Sequence, residues 1–227
     1  MPWPTPSRRS LPADCYRAVV DRVFAFVMFR MLFAILAFGA IITQLVSLLD
    51  NPTFHPLNFL SYFTIQSNLI GGAVLLIGAI RRDIHTPSFD LVRGGAVAYL
   101  VTTGIVFSVL LSGTDVDTAI PWVNSVLHEV LPIVIVIDWL LDPPSRQLTY
   151  RHAVLWLAYP LIWVIYTLIK GPIAHWYPYP FLDPANGGYG TVALYCAAIF
   201  VVVFVVCAGV VWIGNLARGG PPEPAAT

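Results

Sequence analysis

Hydrophobic positions run along this chain in six blocks: about Val23 to Leu49, Leu57 to Ile80, Leu91 to Leu111, Trp122 to Leu141, Ala153 to Ile169 and Thr191 to Ile213. Each block is near the roughly 20 residues that cross a bilayer core of about 30 Å. The first is the longest and the fifth the shortest, so tilt or an interfacial turn is expected at both. The pattern predicts an all-α integral membrane protein, a compact bundle of six transmembrane helices occupying residues 19–216. Residues 1–18 and 217–227 are proline-punctuated or lack an apolar face, and are expected to be disordered tails. The first block is longer than a signal-peptide core and has no clean small-residue cleavage site, so it reads as a retained span.

Polar groups inside these blocks are the candidates for chemistry, because hydrocarbon offers them no water. The densest run is Tyr62-Phe63-Thr64-Ile65-Gln66-Ser67-Asn68 in the second block. Thr64 lies seven residues into that block, roughly 10 Å along a helix, and His128 lies six residues into the fourth, roughly 9 Å. Both blocks enter from the same side, so the two residues sit at matching depth. Helical phase puts Ser61, Thr64, Asn68 and Gly71 on one stripe, and Asn124, His128, Leu131, Ile135 and Asp138 on another. If the stripes face each other, a hydroxyl meets an imidazole in an apolar cavity.

Such a pair has a use, since an unprotonated imidazole takes the proton that makes a threonine hydroxyl nucleophilic. Burial helps by disfavouring the imidazolium. Glu129 points about 100° away round the helix, which leaves Asn124 or a backbone carbonyl to orient the ring. Asn68, Gln66 or Ser67 could donate to an oxyanion, and the sequence does not choose among them. The same residues also have a plainer reading: a membrane threonine commonly bonds its own backbone carbonyl, and an intramembrane histidine often joins helices.

Composition excludes a water-soluble globule, with 58% hydrophobic residues, 11% charged and a mean hydropathy of +0.77. Zero formal net charge and the absence of a basic block give no reason to expect nucleic acid. Ten of the twelve basic residues fall on one side of the predicted topology, among them Arg8, Arg9, Arg17, Arg22, Arg93 and Arg218. The opposite connections carry Asp50, Asp115, Asp117, Asp183 and only Lys170, so both termini of this multi-pass cell-membrane protein are expected to be cytoplasmic. Of the histidines only His128 is embedded, and His-x-x-x-His spacing is absent, which argues against haem and zinc. Cys196 and Cys207 are eleven residues apart on one helix, about 16 Å, and cannot bridge each other.

Two further features stand out. Arg30 and Asp138 are buried charges near the inner side, where an unpaired charge costs on the order of 3 kcal/mol, so they are expected to form a structural ion pair. Tyr159, Trp163, Tyr166 and Lys170 form one stripe of the fifth helix, with Pro160 able to bend it. The loop that follows, through His175-Trp176-Tyr177-Pro178-Tyr179-Pro180-Phe181, is either an interfacial aromatic belt or a lid over the outer mouth.

Three motifs carry a resemblance: Tyr62 to Asn68, Asn124-Ser-Val-Leu-His128 with Pro132 and Asp138-Trp-Leu-Leu141, and Tyr177-Pro-Tyr-Pro-Phe-Leu-Asp183. Over most of residues 20 to 215 the chain resembles the bacterial six-span family related to the animal androgen-induced-gene membrane proteins. That resemblance implies a membrane threonine hydrolase acting on fatty acid esters of hydroxy fatty acids. It assigns Thr64 as nucleophile and His128 as base, and it matches Asn124. The implied partners are membrane lipids and a lipid ester, with no cofactor and no metal. An outward-opening pocket among the second, fourth and fifth helices is expected, with Asn68, Gln66, Ser67, Asn124 and Tyr166 as substrate or orienting groups. The alternative is a transporter, channel-like or lipid-binding protein whose polar cavity binds without reacting, or a purely structural protein. The sequence leaves the oligomeric state open.

Overall fold

Backbone polar groups in a long Leu, Val, Ile and Ala segment must close their hydrogen bonds within the segment when no water is present, and the helix is the result. The computed structural model describes residues 13–81, 86–111 and 120–219. Among the described residues six helices are each long and apolar enough to cross a membrane. They are α1 (Ala13–Leu48), α2 (Phe63–Ile80), α3 (Pro87–Leu111), α4 (Pro121–Leu141), α5 (Tyr150–Ala174) and α6 (Gly188–Ala217). Among the described residues there is no strand. The protein is an all-α, multi-pass membrane bundle. More than half of α2, α3 and α4 is buried, so they make its centre, while α1, α5 and α6 show most of their surface outward. With six spans, the start of α1 and the close of α6 lie together at what we call the termini end.

Several boundaries differ from the sequence expectation, each for a local reason. The second helix begins at Phe63 rather than near Leu57. Pro56 opens a separate turn, Pro56–Phe59, and Tyr62 is extended at ψ 128°, which breaks the helix between the two. The fifth helix, expected to be the shortest, runs 25 residues. Thr149 and His152 cap each other's backbone at its start, and His175 ends it in the left-handed region at φ 50°. Helix α1 reaches back to Ala13, so residues 13–18 of the expected tail are helical. The remainder of that tail, residues 220–227, His85, Asp115 and Asp117 lie outside the described residues.

At the termini end the expected pair proves to be part of a larger network. Arg30 Nε donates to Asp138 Oδ1 at 2.5 Å and Arg30 Nη2 to Asp142 Oδ2 at 2.7 Å. Arg93, counted from the sequence among the basic residues of the termini side at the start of the third block, is buried in α3 and donates to Asp138 Oδ2 at 3.1 Å and to the Asp142 carbonyl at 2.6 Å. Asp90 pairs with Arg93 at 3.5 Å and accepts from the Ser145 backbone and hydroxyl at 2.7 and 2.5 Å. Two guanidinium groups and three carboxylates thus tie α1, α3 and α4 together. Breaking such a buried group by removing one partner costs roughly 3–5 kcal/mol.

Two glycines permit close approach at the bundle's centre. A Cβ on Gly94 would overlap the Trp156 ring of α5. One on Gly104 would press on the His128 carbonyl at 3.1 Å and on Pro132 at 3.2 Å, so α3 can lie directly against the histidine-bearing turn of α4.

Candidate active site

Helix α4 does not run as a regular α-helix past His128. Residues Val126–Val130 form a π-helical turn, and the Leu131 N–H bonds to the Val126 carbonyl five residues back. Pro132 explains the local weakness, since it has no N–H to offer the preceding turn. In the π register the donor for the Leu127 carbonyl would be Pro132, and Asn68 Nδ2 reaches across from α2 to supply the bond instead, at 3.1 Å. A second π turn, Phe107–Leu111 in α3, sits opposite, and Phe107 stacks on the His128 ring at 4.1 Å and 20°. The imidazole is thereby clamped in orientation and buried.

Thr64 is the second residue of α2, where backbone N–H groups have no partner within the helix. Tyr62 makes no side-chain cap there. The phenol of Tyr179, from the loop between α5 and α6, takes that place. Its oxygen accepts from the Thr64 N–H at 3.2 Å and lies 3.1 Å from Thr64 Oγ1. Thr64 Oγ1 lies 3.3 Å from His128 Nε2, and His128 Nδ1 lies 3.0 Å from the Asn124 carbonyl.

The direction of this chain follows from what each group can do. A carbonyl only accepts, so His128 Nδ1 carries the proton and Nε2 is left as the acceptor. The Thr64 hydroxyl then donates to Nε2, and Tyr179 O–H donates to Thr64 Oγ1. Burial pushes the Tyr179 phenol above the usual tyrosine value of 10, outweighing its hydrogen bonding with Thr64 and Phe63, which pulls it down. At neutral pH it is therefore a proton donor. The result is a neutral relay, Tyr179 to Thr64 to His128 to the Asn124 carbonyl, standing at a helix N-terminus that favours developing negative charge.

A cavity of about 320 Å³ opens on one side of this relay. It is lined by Thr64, His128 and Tyr179, and beyond them by α3, α5 and α6, including Thr102, Phe107, Pro160, Trp163 and Phe200. This corrects the expected position among the second, fourth and fifth helices: α4 contributes only His128, and α3 and α6 supply much of the wall. Thr102 brings a buried hydroxyl with no hydrogen-bond partner to that wall. On the other face of Thr64, His128 and Tyr179 lies a small void of about 40 Å³, bounded by Gln44 and Leu48 of α1 and by Phe59 and Tyr62.

None of the five expected substrate or orienting side chains lines the cavity. Gln66 turns to α5, where it accepts from the Tyr159 hydroxyl at 2.5 Å and donates to the Leu60 carbonyl at 2.7 Å. Ser67 bonds Thr103 Oγ1 at 2.9 Å and the Thr64 carbonyl at 3.1 Å. Asn68 spends its donors on the carbonyls of Thr64 and Leu127. Tyr166 pairs with Ser61 Oγ at 2.8 Å, beside Lys170 Nζ, also 2.8 Å from that oxygen. Helical phase accounts for Gln66, about 160° round the helix from Thr64, and for Ser67, about 60° away; Asn68 shares the Thr64 stripe and is drawn off by the Leu127 carbonyl, and Tyr166 stands opposite the turn before α2. Asn124 contributes through its carbonyl. Glu129 is exposed. Arg30 and Asp138 are at the opposite end, away from the cavity's lining. Tyr179 was not legible as a site residue, although a lid over the outer mouth was one of the two readings of the aromatic loop that carries it. Comparison with known protein families, with curated proteins and with solved structures finds no match for this chain.

Proposed function

We propose that this protein is an intramembrane ester hydrolase that uses Thr64 as nucleophile and His128 as general base on a lipid ester, of the kind represented by fatty acid esters of hydroxy fatty acids. What supports the reading is the directed hydrogen-bond chain through Thr64 at the wall of an apolar cavity. Thr64 Oγ attacks the ester carbonyl carbon while its proton passes to His128 Nε2. The oxyanion draws on Tyr179 O–H and on the positive end of α2. Collapse breaks the bond to the alcohol, which leaves with the proton from Nε2. Water then attacks the acyl-threonine, gives a proton to His128, and releases the fatty acid as Thr64 Oγ takes that proton back. The small void beside the relay has room for such a water, which needs about 10–15 Å³. No cofactor enters these steps.

The resemblance noted from the three motifs points to the same chemistry and to the same threonine and histidine. In the orientation that the basic residues favour, the termini end faces the cytoplasm and the relay lies in the outer half of the bilayer. The binding-only alternative draws on no comparable feature, since the lining of the cavity does not include the charged network of Arg30 and Asp138. The test is release of free fatty acid from a long-chain ester by the full chain in vesicles. Wild type should hydrolyse it and Thr64→Ala should not; equal release by both would overturn the assignment.

A further inference from the structure

The cavity's most exposed lining residues are in the middle of two helices. Leu161 of α5 is 47% exposed and Phe200 of α6 is 48% exposed, and Ala197 beside it is exposed as well. Leu161 is thirteen residues from Ala174 at the end of α5, and Phe200 is twelve from Gly188 at the start of α6. Those spacings are roughly 18 to 20 Å of helix, so in a bilayer these side chains face acyl chains. At the level of the relay the cavity meets the loop between α5 and α6, where Tyr179 and Leu182 are buried and Tyr179 stacks on Phe181 at 5.3 Å. Pro160 lies on the same wall and leaves the helix without one internal hydrogen bond there.

We propose that the cavity is loaded sideways from the bilayer, between α5 and α6, and that its substrates are esters whose acyl chain already lies in the membrane. This rests on the hydrolase reading only for what happens after loading. The chain slides past Leu161, Ala197 and Phe200 and brings its ester to Thr64, never crossing water. An apolar guest in an apolar cavity keeps its burial while the carbonyl gains the relay, so the site selects bilayer-dissolved esters over short, water-soluble ones. Thr102, with its unpartnered buried hydroxyl on the α3 wall, offers one polar contact within reach of the chain.

The experiment uses the full chain in phosphatidylcholine vesicles with a trace of fatty acid carrying a mid-chain diazirine. After irradiation, adducts are mapped by mass spectrometry. Wild type and Thr64→Ala should both carry adducts on the α3 wall around Thr102 and Phe107. Ala197→Trp should lose them at least fivefold, while Ala198→Trp, on the exposed surface of α6 but not on the lining, should keep them. No adducts on the α3 wall of wild type, or equal adducts in Ala197→Trp, would overturn lateral loading. A kinetic arm separates the two proposals. Ala197→Trp should lower kcat/KM at least tenfold for a long-chain ester in vesicles, while Ala198→Trp stays within twofold of wild type. Wild type that takes up the probe by this route yet does not hydrolyse the ester sinks the hydrolase reading and leaves lateral loading standing. Equal kinetics of Ala197→Trp and wild type on the vesicle ester sinks lateral loading alone.

Discussion

The two ends of this bundle both bury polar groups, in opposite ways. At the termini end Arg30, Arg93, Asp90, Asp138 and Asp142 are held by charge-assisted bonds as short as 2.5 Å. At the other end Tyr179, Thr64, His128 and the Asn124 carbonyl form a chain of neutral hydrogen bonds between 3.0 and 3.3 Å, open to a cavity. The first set is closed on itself: apart from Arg93 Nε, which has no hydrogen-bond partner, its charged groups face each other, and its energy is structural. The second leaves the Thr64 hydroxyl with an imidazole acceptor on one side, a phenol donor on the other and space in front, as the proposed chemistry requires. In a membrane, burial of polar atoms alone therefore does not mark a site. What marks it is polar atoms whose bonds have a direction and whose last member meets a void.

The sharpest way to break this contrast is a substitution in the relay that leaves the fold intact. His128→Ala should lower hydrolysis by about 10⁴-fold, the upper range for a general base, while thermal stability in detergent stays close to wild type. The reverse should hold at the termini end. Asp138→Ala takes the shared carboxylate from two buried guanidinium groups, leaving them Asp142 and Asp90, and should cost roughly 3–5 kcal/mol of stability, seen as lost monodisperse protein on size-exclusion chromatography. Whatever folds should retain its turnover per molecule. A large fall in turnover at full stability would show that the network belongs to the chemistry.

A smaller effect separates Tyr179 from the rest of its loop. Tyr179→Phe keeps the stacked ring and removes the donor, so kcat should fall by about 10²-fold, as for loss of one oxyanion donor, with KM within a few-fold of wild type. Because burial raises the phenol's pKa, wild-type activity should show no loss from its ionisation below about pH 10. The smallest effect is expected at Gln66. Gln66→Met removes the bonds to Tyr159 and Leu60 and should cost about 1 kcal/mol of stability, with hydrolysis within twofold. A loss in kcat above tenfold would return Gln66 to the site.

What could be read from the sequence tracks what is periodic. Thr64 and His128 lie in helices, so residue counts gave their depth and a 3.6-residue repeat gave their faces, and the structure places them 3.3 Å apart. The same counting missed features that regular periodicity does not describe. Tyr179 arrives from a loop whose path no repeat encodes. The π turn Val126–Val130 shifts the phase of α4 at His128, and Pro132 was its sign. Asn68 shares Thr64's stripe and looked available, but the carbonyl left by Pro132 draws its amide inward. Arg93 stands at the start of the third block and reads only as a cation of the termini side, yet α3 begins at Pro87 and carries it into the core.

The most direct test of the relay is covalent. The full chain in vesicles is treated with a long-chain fluorophosphonate and the adduct is located by mass spectrometry of the peptide spanning Tyr62 to Asn68. The account predicts phosphonylation at Thr64 in wild type, its strong reduction in His128→Ala and its absence in Thr64→Ala. Labelling of equal extent in Thr64→Ala, or an adduct on another residue of wild type, would contradict it.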